Sequence, residues 1–256
     1  MRVTLARPWR TVQRQVKKDR LYPTQLTYTG ADGQSHTLAL EVAPHGITRH
    51  LRVCDFPLLK PHFDKKKMKG TEFRGNKSLT LVTYCKTNTK YEQYYIKEFI
   101  SYRIYNLIAE YSFRVRPLLV DYKDTSRNSK ALTRFSFLIE DIDDVANRNG
   151  LGKLTVGTTP VKGLDGEHAS NLALYQHLIG NLDWASTGGH DKNRCCHNAR
   201  LTGKGENEVP KYAIPYDFDS SGLVNAHYAA EMPSFFGHRS VRFSSFHVIQ
   251  NMLFLA

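Results

Sequence analysis

Between residues 79 and 139 the chain spells out one strand, one long helix and two more strands. That order restricts the available folds more than any other feature of the sequence. Leu79-Thr80-Leu81-Val82-Thr83-Tyr84 is apolar and β-branched, with Lys77 just before it and Lys86 just after it. Leu118-Leu119-Val120-Asp121-Tyr122 and Phe135-Ser136-Phe137-Leu138-Ile139 have the same character. One helix among three strands in so short a span packs as a small sheet carrying a single helix, an α+β arrangement.

The helix opens on Thr89-Lys90-Tyr91-Glu92, which has the form of a capping box, and its periodicity predicts helix to about residue 108. Ile96, Ile100, Ile104, Leu107 and Ile108 form an apolar face at helical spacing. Tyr94, Glu98, Tyr102 and Tyr105 form a second stripe. Glu98 is either an exposed carboxylate at the helix edge or the partner of a strand lysine, Lys77 or Lys86, that positions nucleotide phosphates. After the third strand comes Glu140-Asp141-Ile142-Asp143-Asp144. The backbone of residues 140–142 could meet an adenine edge, and the same acids suit a helix N-terminus.

Upstream, residues 1–22 read as a basic arm. A hairpin follows, with strands at 25–28 and 37–42 around Ala31-Asp32-Gly33. Lys65-Lys66-Lys67 reads as a solvated loop. The formal net charge of +12 favours polyanionic partners. No helix-turn-helix, zinc-finger or aromatic RNA-binding signature is present, so nucleic acid is not expected as the main partner. No run of apolar residues is long enough to cross a membrane as a helix, and the basic first twenty residues lack the apolar segment of a secretory signal. Four cysteines, two of them adjacent at 195 and 196, do not read as a disulfide framework.

Chemistry concentrates between residues 175 and 222. Leu172, Tyr175, Leu178 and Ile179 are spaced as on a helix, which Gly180 can end. Asp183 then falls on a turn. A Gly- and charge-rich insertion at 186–196 leads to His197-Asn198, and a short strand at 212–214 delivers Asp217. Phosphoryl transfer needs a carboxylate at the nucleophile, an Asn and a second Asp on the metal, and a lysine on the phosphates. Asp183, Asn198, Asp217 and a Lys77 or Lys86 option with Glu98 supply those parts in that order. Two other readings stay open: residues that merely cap turns, and a glycosidase acid/base pair of Asp183 and Asp217.

Asn181-Leu182-Asp183, His197-Asn198 and Pro215-Tyr216-Asp217-Phe218-Asp219-Ser220-Ser221-Gly222 resemble the signature of CotH-type spore-coat kinase-like proteins. Runs similar to residues 91–106, 112–116 and 137–141 occur in the same order in bacterial relatives of that family. The resemblance covers residues 56–242. It implies a two-lobed atypical protein-kinase-like fold: a β-rich N-lobe with one long helix at 23–141, and a mixed C-lobe at 142–242 cut short before a divergent tail at 243–256.

It also implies ATP and a divalent metal, Mg2+ or Mn2+. Asp183 would be the catalytic Asp, and Asn198 and Asp217 the metal ligands. Relatives tend to carry a basic residue where this chain has Thr80, so Lys86 or Lys77 must substitute, with Glu98 and Glu140 completing the nucleotide site. The expected acceptor is an acidic or Ser-rich protein. The alternatives are a non-catalytic pseudokinase or surface-binding protein and, behind it, a basic nucleic-acid-binding protein.

Overall fold

The computed structural model describes residues 1–14, 20–46, 53–187 and 198–229. Seven strands close into a barrel in the order β1-β2-β3-β4-β5-β7-β6. They are β1 (Arg2–Arg7), β2 (Tyr22–Thr29), β3 (Ser35–His45), β4 (Leu58–His62), β5 (Thr80–Val82), β6 (Val115–Asp124) and β7 (Leu132–Ile139). A short helix α1 (Trp9–Arg14) follows β1. Neighbours run antiparallel except at the closure, where β1 lies parallel to β6 with Arg2 opposite Leu119 and Arg7 opposite Asp124.

Period-2 alternation explains why these strands enclose a core: β2 buries every other residue along its length. Leu26 sits opposite Leu5 on one side and Leu38 on the other. Leu81 sits opposite Leu59 and Leu138. Trp9 of α1 meets the ring edges of Phe56 and Tyr122 at 5.4 and 5.8 Å.

This barrel overturns the two-lobed kinase-like architecture expected from the resemblance. The decisive element lies in residues 1–22, which were expected as a basic arm. Arg2, Thr4 and Ala6 alternate with the buried Val3 and Leu5, and pairing on both edges leaves β1 no free edge. Arg2 adds two hydrogen bonds to the Asp121 carboxylate, at 2.7 and 2.9 Å.

The helix α2 (Glu92–Ile108) packs on the outer face of β7, where Phe99 meets Phe135 and Phe137 at 5.9 and 5.7 Å. Its start differs from the expected capping box. Asn88, not Thr89, caps the preceding 3-10 turn by accepting from the Lys90 N–H, and Glu92 instead accepts from the Phe135 N–H at 2.6 Å. Its buried face also differs. Tyr95, Glu98, Tyr102 and Tyr105 are buried, whereas Ile96, Leu107 and Ile108 are exposed. Tyrosine suits this face because the rings fill volume and some hydroxyls find backbone donors. The Tyr95 hydroxyl accepts from the Cys85 N–H.

Cys54 and Cys85 form a disulfide with Cα atoms 4.5 Å apart, a pairing that the cysteine spacing did not suggest. Cys195 and Cys196 lie outside the described residues, as does the tail at 243–256.

Beyond the barrel, α3 (Ile142–Arg148) is capped by Asp141, with Asp143 and Asp144 in its first turn. A three-stranded sheet orders β10-β9-β8: β8 (Gly152–Lys153), β9 (Ala199–Gly203) and β10 (Tyr212–Pro215). The helix α4 (Gly166–Leu178) covers it and is capped by Asp165. His168 of α4 donates from its ring to the Ala213 carbonyl of β10 at 2.8 Å, and burial pushes its imidazole pKa down.

One hydrophobic cluster runs from the barrel into this sheet. Its bridge is aromatic: Phe137 to Tyr102 at 5.9 Å, Tyr102 to Phe218 at 4.7 Å, and Phe218 to Tyr175 at 5.7 Å. Tyr175 also donates to the Ser101 carbonyl at 2.5 Å.

Candidate functional site

The site lies where the ends of β9 and β10 meet the turn after α4. Gly180, at φ +62, ends α4 as its sequence position predicts. Asn181 follows and is buried. Its amide donates to the Gln176 side chain at 2.9 Å, and its side-chain oxygen accepts from the Asp183 N–H at 3.1 Å. This Asx-type turn fixes the backbone of Asp183 and leaves its carboxylate half-exposed.

Asn198 then locks that carboxylate in place. Its side-chain amide donates to the Asp183 carbonyl at 2.7 Å and to Asp183 Oδ2 at 2.9 Å. The Asn198 carbonyl accepts from the Tyr216 N–H at 2.9 Å, continuing the β9–β10 ladder one step past the pair Pro215 and Ala199. Asp217 comes next, as the chain leaves β10 for a 3-10 turn at Phe218–Ser220. Its N–H donates to the Tyr102 hydroxyl of α2 at 2.9 Å.

Asn198 and Asp217 hold φ values of +35 and +61. Left-handed backbone is costly for a residue with a Cβ, and such strain collects where geometry serves function. The turn that holds Asp217 is pinned by a close backbone crossing. Gly222 donates to the Gly180 carbonyl at 3.0 Å, and Leu223 to the Ile179 carbonyl at 2.9 Å.

Electrostatics link these groups. Burial raises the Tyr216 phenol pKa, the Asp217 and Asp183 carboxylates raise it further, and Arg200 opposes them. The Arg200 guanidinium stands 4.8 Å above the Tyr216 ring. Burial, with Glu98 and then Asp217 adding to it, pushes the Tyr102 phenol well above its usual range. Tyr216 therefore senses both aspartates, and Tyr102 senses both Glu98 and Asp217.

Of the residues singled out from the sequence, Asp183, Asn198 and Asp217 come together, and Glu98 joins them through Tyr102. The others lie elsewhere. Lys86 stands over the Tyr91 ring at 5.5 Å. Lys77 lies in the β4–β5 connection, where its backbone carbonyl accepts from the Phe63 N–H. Glu140 accepts from Arg148 at 3.1 Å and from the Arg114 N–H at 3.0 Å, and its own N–H donates to the Arg114 carbonyl. Those bonds brace α3 against the loop before β6.

Asn181, Tyr102, Tyr216 and Arg200 were not singled out as site residues. Their signals were present: Tyr102 sits one turn after Glu98, Tyr216 precedes Asp217, and Arg200 follows Asn198 by two positions on a strand.

Among the described residues no three His, Cys, Asp or Glu side chains gather as a metal cluster. Two carboxylates with one carboxamide are too few for an all-protein cage. They do suit Mg2+, which binds through one or two carboxylates while substrate phosphates and water fill its remaining positions. No protein-family model matches the chain, and no curated protein matches it.

Proposed function

We propose that this protein is a phosphotransferase that takes ATP with Mg2+ or Mn2+ at the Asp183–Asn198–Asp217 site and passes a phosphate to an acidic or Ser-rich protein acceptor. The observation that carries this reading is the double use of Asn198. Its side chain holds Asp183 and its backbone holds the strand that presents Asp217, so a single residue sets the spacing of two hard oxygen donors. Asp217 and Asn198 would hold the metal. The metal would supply charge neutralisation on the phosphates.

The chain's own residues do the rest. Asp183, oriented by Asn181 and Asn198, accepts the acceptor hydroxyl's proton at its carboxylate. Tyr102 fixes the Asp217 backbone. Phe218, fully buried, keeps water from the inner side of the turn.

A second reading, nucleotide binding without transfer, is favoured by the placement of Lys86 on Tyr91 and of Lys77 in the β4–β5 connection. Transfer from γ-labelled ATP to acidic and Ser-rich proteins separates the two. The proposal expects label in the acceptor with the wild-type chain and at least a hundredfold less with Asp183→Asn. Equal label with both proteins removes Asp183 from the reaction, and no label with either leaves binding alone.

A further inference from the structure

The β4–β5 connection, residues 63–79, carries a basic surface that the Asp183–Asp217 site does not use. Lys65, Lys66, Lys67, Lys69, Arg74 and Lys77 are all exposed there. They stand on a fixed frame. Met68 and Phe73 are each 1% exposed, and Phe73 stacks on Phe63 at 5.2 Å and meets the edge of Tyr28 at 5.6 Å. Turn bonds hold the backbone between these anchors. The Asp64 side chain accepts from the Lys66 N–H at 3.0 Å, its carbonyl accepts from Lys67 and Met68, and the Thr71 hydroxyl donates to the Met68 carbonyl at 2.9 Å. A frame already ordered before contact lowers the entropic cost of binding.

Nearby acids offset little of this charge. Glu72 is turned to Arg116 at 3.2 Å. Asp64 lies 3.9 Å from Lys67 with both side chains in solvent, a weakly interacting pair. Lys65 faces Asp144. Among the described ion pairs none involves Lys66, Lys69, Arg74 or Lys77.

The surface also lacks side chains that insert into a bilayer or stack on an unpaired strand. Phe63, Met68 and Phe73 are buried, so no apolar side chain of the 63–77 segment is free to enter a bilayer and no ring is free to stack on an unpaired base. What remains is a set of mostly lysine charges on flexible stems over an ordered backbone, suited to a row of phosphates and blind to base sequence. The absence of a base-reading motif fits such a surface.

We propose that the β4–β5 connection docks a nucleic-acid duplex through its phosphate backbone, without reading sequence. The test is fluorescence anisotropy of a short mixed-sequence DNA duplex with the full chain across a salt series. Engagement of four or five phosphates predicts a slope of log K against log salt of about −4, and so a loss of roughly a hundredfold or more between about 50 and 200 mM salt. A slope near zero overturns the proposal.

The variant Lys66→Gln, Lys67→Gln, Lys69→Gln, Arg74→Gln is expected to bind at least tenfold more weakly at equal melting temperature. A control variant that removes the same charge at Lys123, Lys130, Lys153 and Lys162 is expected to stay within about twofold to threefold of wild type. Equal losses in the two variants would mean net charge alone, and would overturn the proposal. So would tighter binding of anionic vesicles or polyglutamate than of the duplex at the same salt. Calorimetric ATP binding is expected to be the same in the four-residue variant, so this surface and the aspartate site succeed or fail separately.

Discussion

At the scale of single residues, Asp217 carries the most information. It sits in left-handed backbone, with its N–H spent on Tyr102. That conformation costs an L-residue about 1–2 kcal/mol, which glycine would not incur. Asp217→Gly is therefore expected to hold or raise the melting temperature, by a few degrees at most, while removing the carboxylate proposed to take the metal. A melt that falls by several degrees would mean that the Asp217 side chain serves the fold.

Asp217 was legible in the sequence because a short apolar strand delivers it and Pro215 marks the strand's end. Asn198 was legible for its residue type but not for its task. Its value lies in two hydrogen bonds to a residue fifteen positions earlier, across an insertion whose length says nothing of where its ends meet.

Among the elements, α2 shows how far periodicity reaches. The helix was legible, and so was the stripe holding Glu98 and Tyr102. The buried face was misread because isoleucine ranks above tyrosine in hydropathy. Here tyrosine rings bridge the barrel and the second sheet, and the Tyr102 hydroxyl receives the Asp217 N–H at the end of that bridge.

The turn after β10 depends on a closer contact still. A Cβ built on Gly222 would lie 3.3 Å from the Ile179 carbonyl and 3.6 Å from the Gly180 Cα, both backbone atoms that cannot swing aside. Gly222→Ala is expected to cost about 1–3 kcal/mol, as overpacking does, and to displace the turn holding Asp217. Unchanged denaturant midpoint and unchanged nucleotide affinity in that variant would show that the crossing does not set the site.

For the whole molecule, closure of the barrel was the feature least visible in the sequence. β4 contains a lysine and a proline, so its alternating burial has no matching alternation of residue type. β1 is six residues long, two of them arginine, and it reads as a strand only beside β6, whose partner residues lie more than a hundred positions away. No local pattern encodes a partner at that distance.

The buried tyrosines have a consequence for pH. Burial holds the phenols of Tyr84, Tyr102, Tyr105, Tyr122 and Tyr175 above their unfolded range. The folded state therefore binds these protons more tightly than the unfolded state. Their stabilising contribution is complete below about pH 10 and falls as pH rises through and beyond that value. Ultraviolet titration is expected to show these tyrosines ionising together with unfolding above about pH 10. Smooth ionisation at their ordinary pKa with the fold intact would contradict the burial described.

The aspartates that follow α4 and β10 are proposed to form one metal-nucleotide site. Titration calorimetry of ATP with Mg2+ into the wild-type chain and into Asp217→Gly decides whether they do. Metal-dependent heat is expected with the wild type, none in the absence of the metal, and none with Asp217→Gly although that variant is as stable as the wild type. Equal heats from the two proteins, or no heat from the wild type with either Mg2+ or Mn2+, would contradict the proposal.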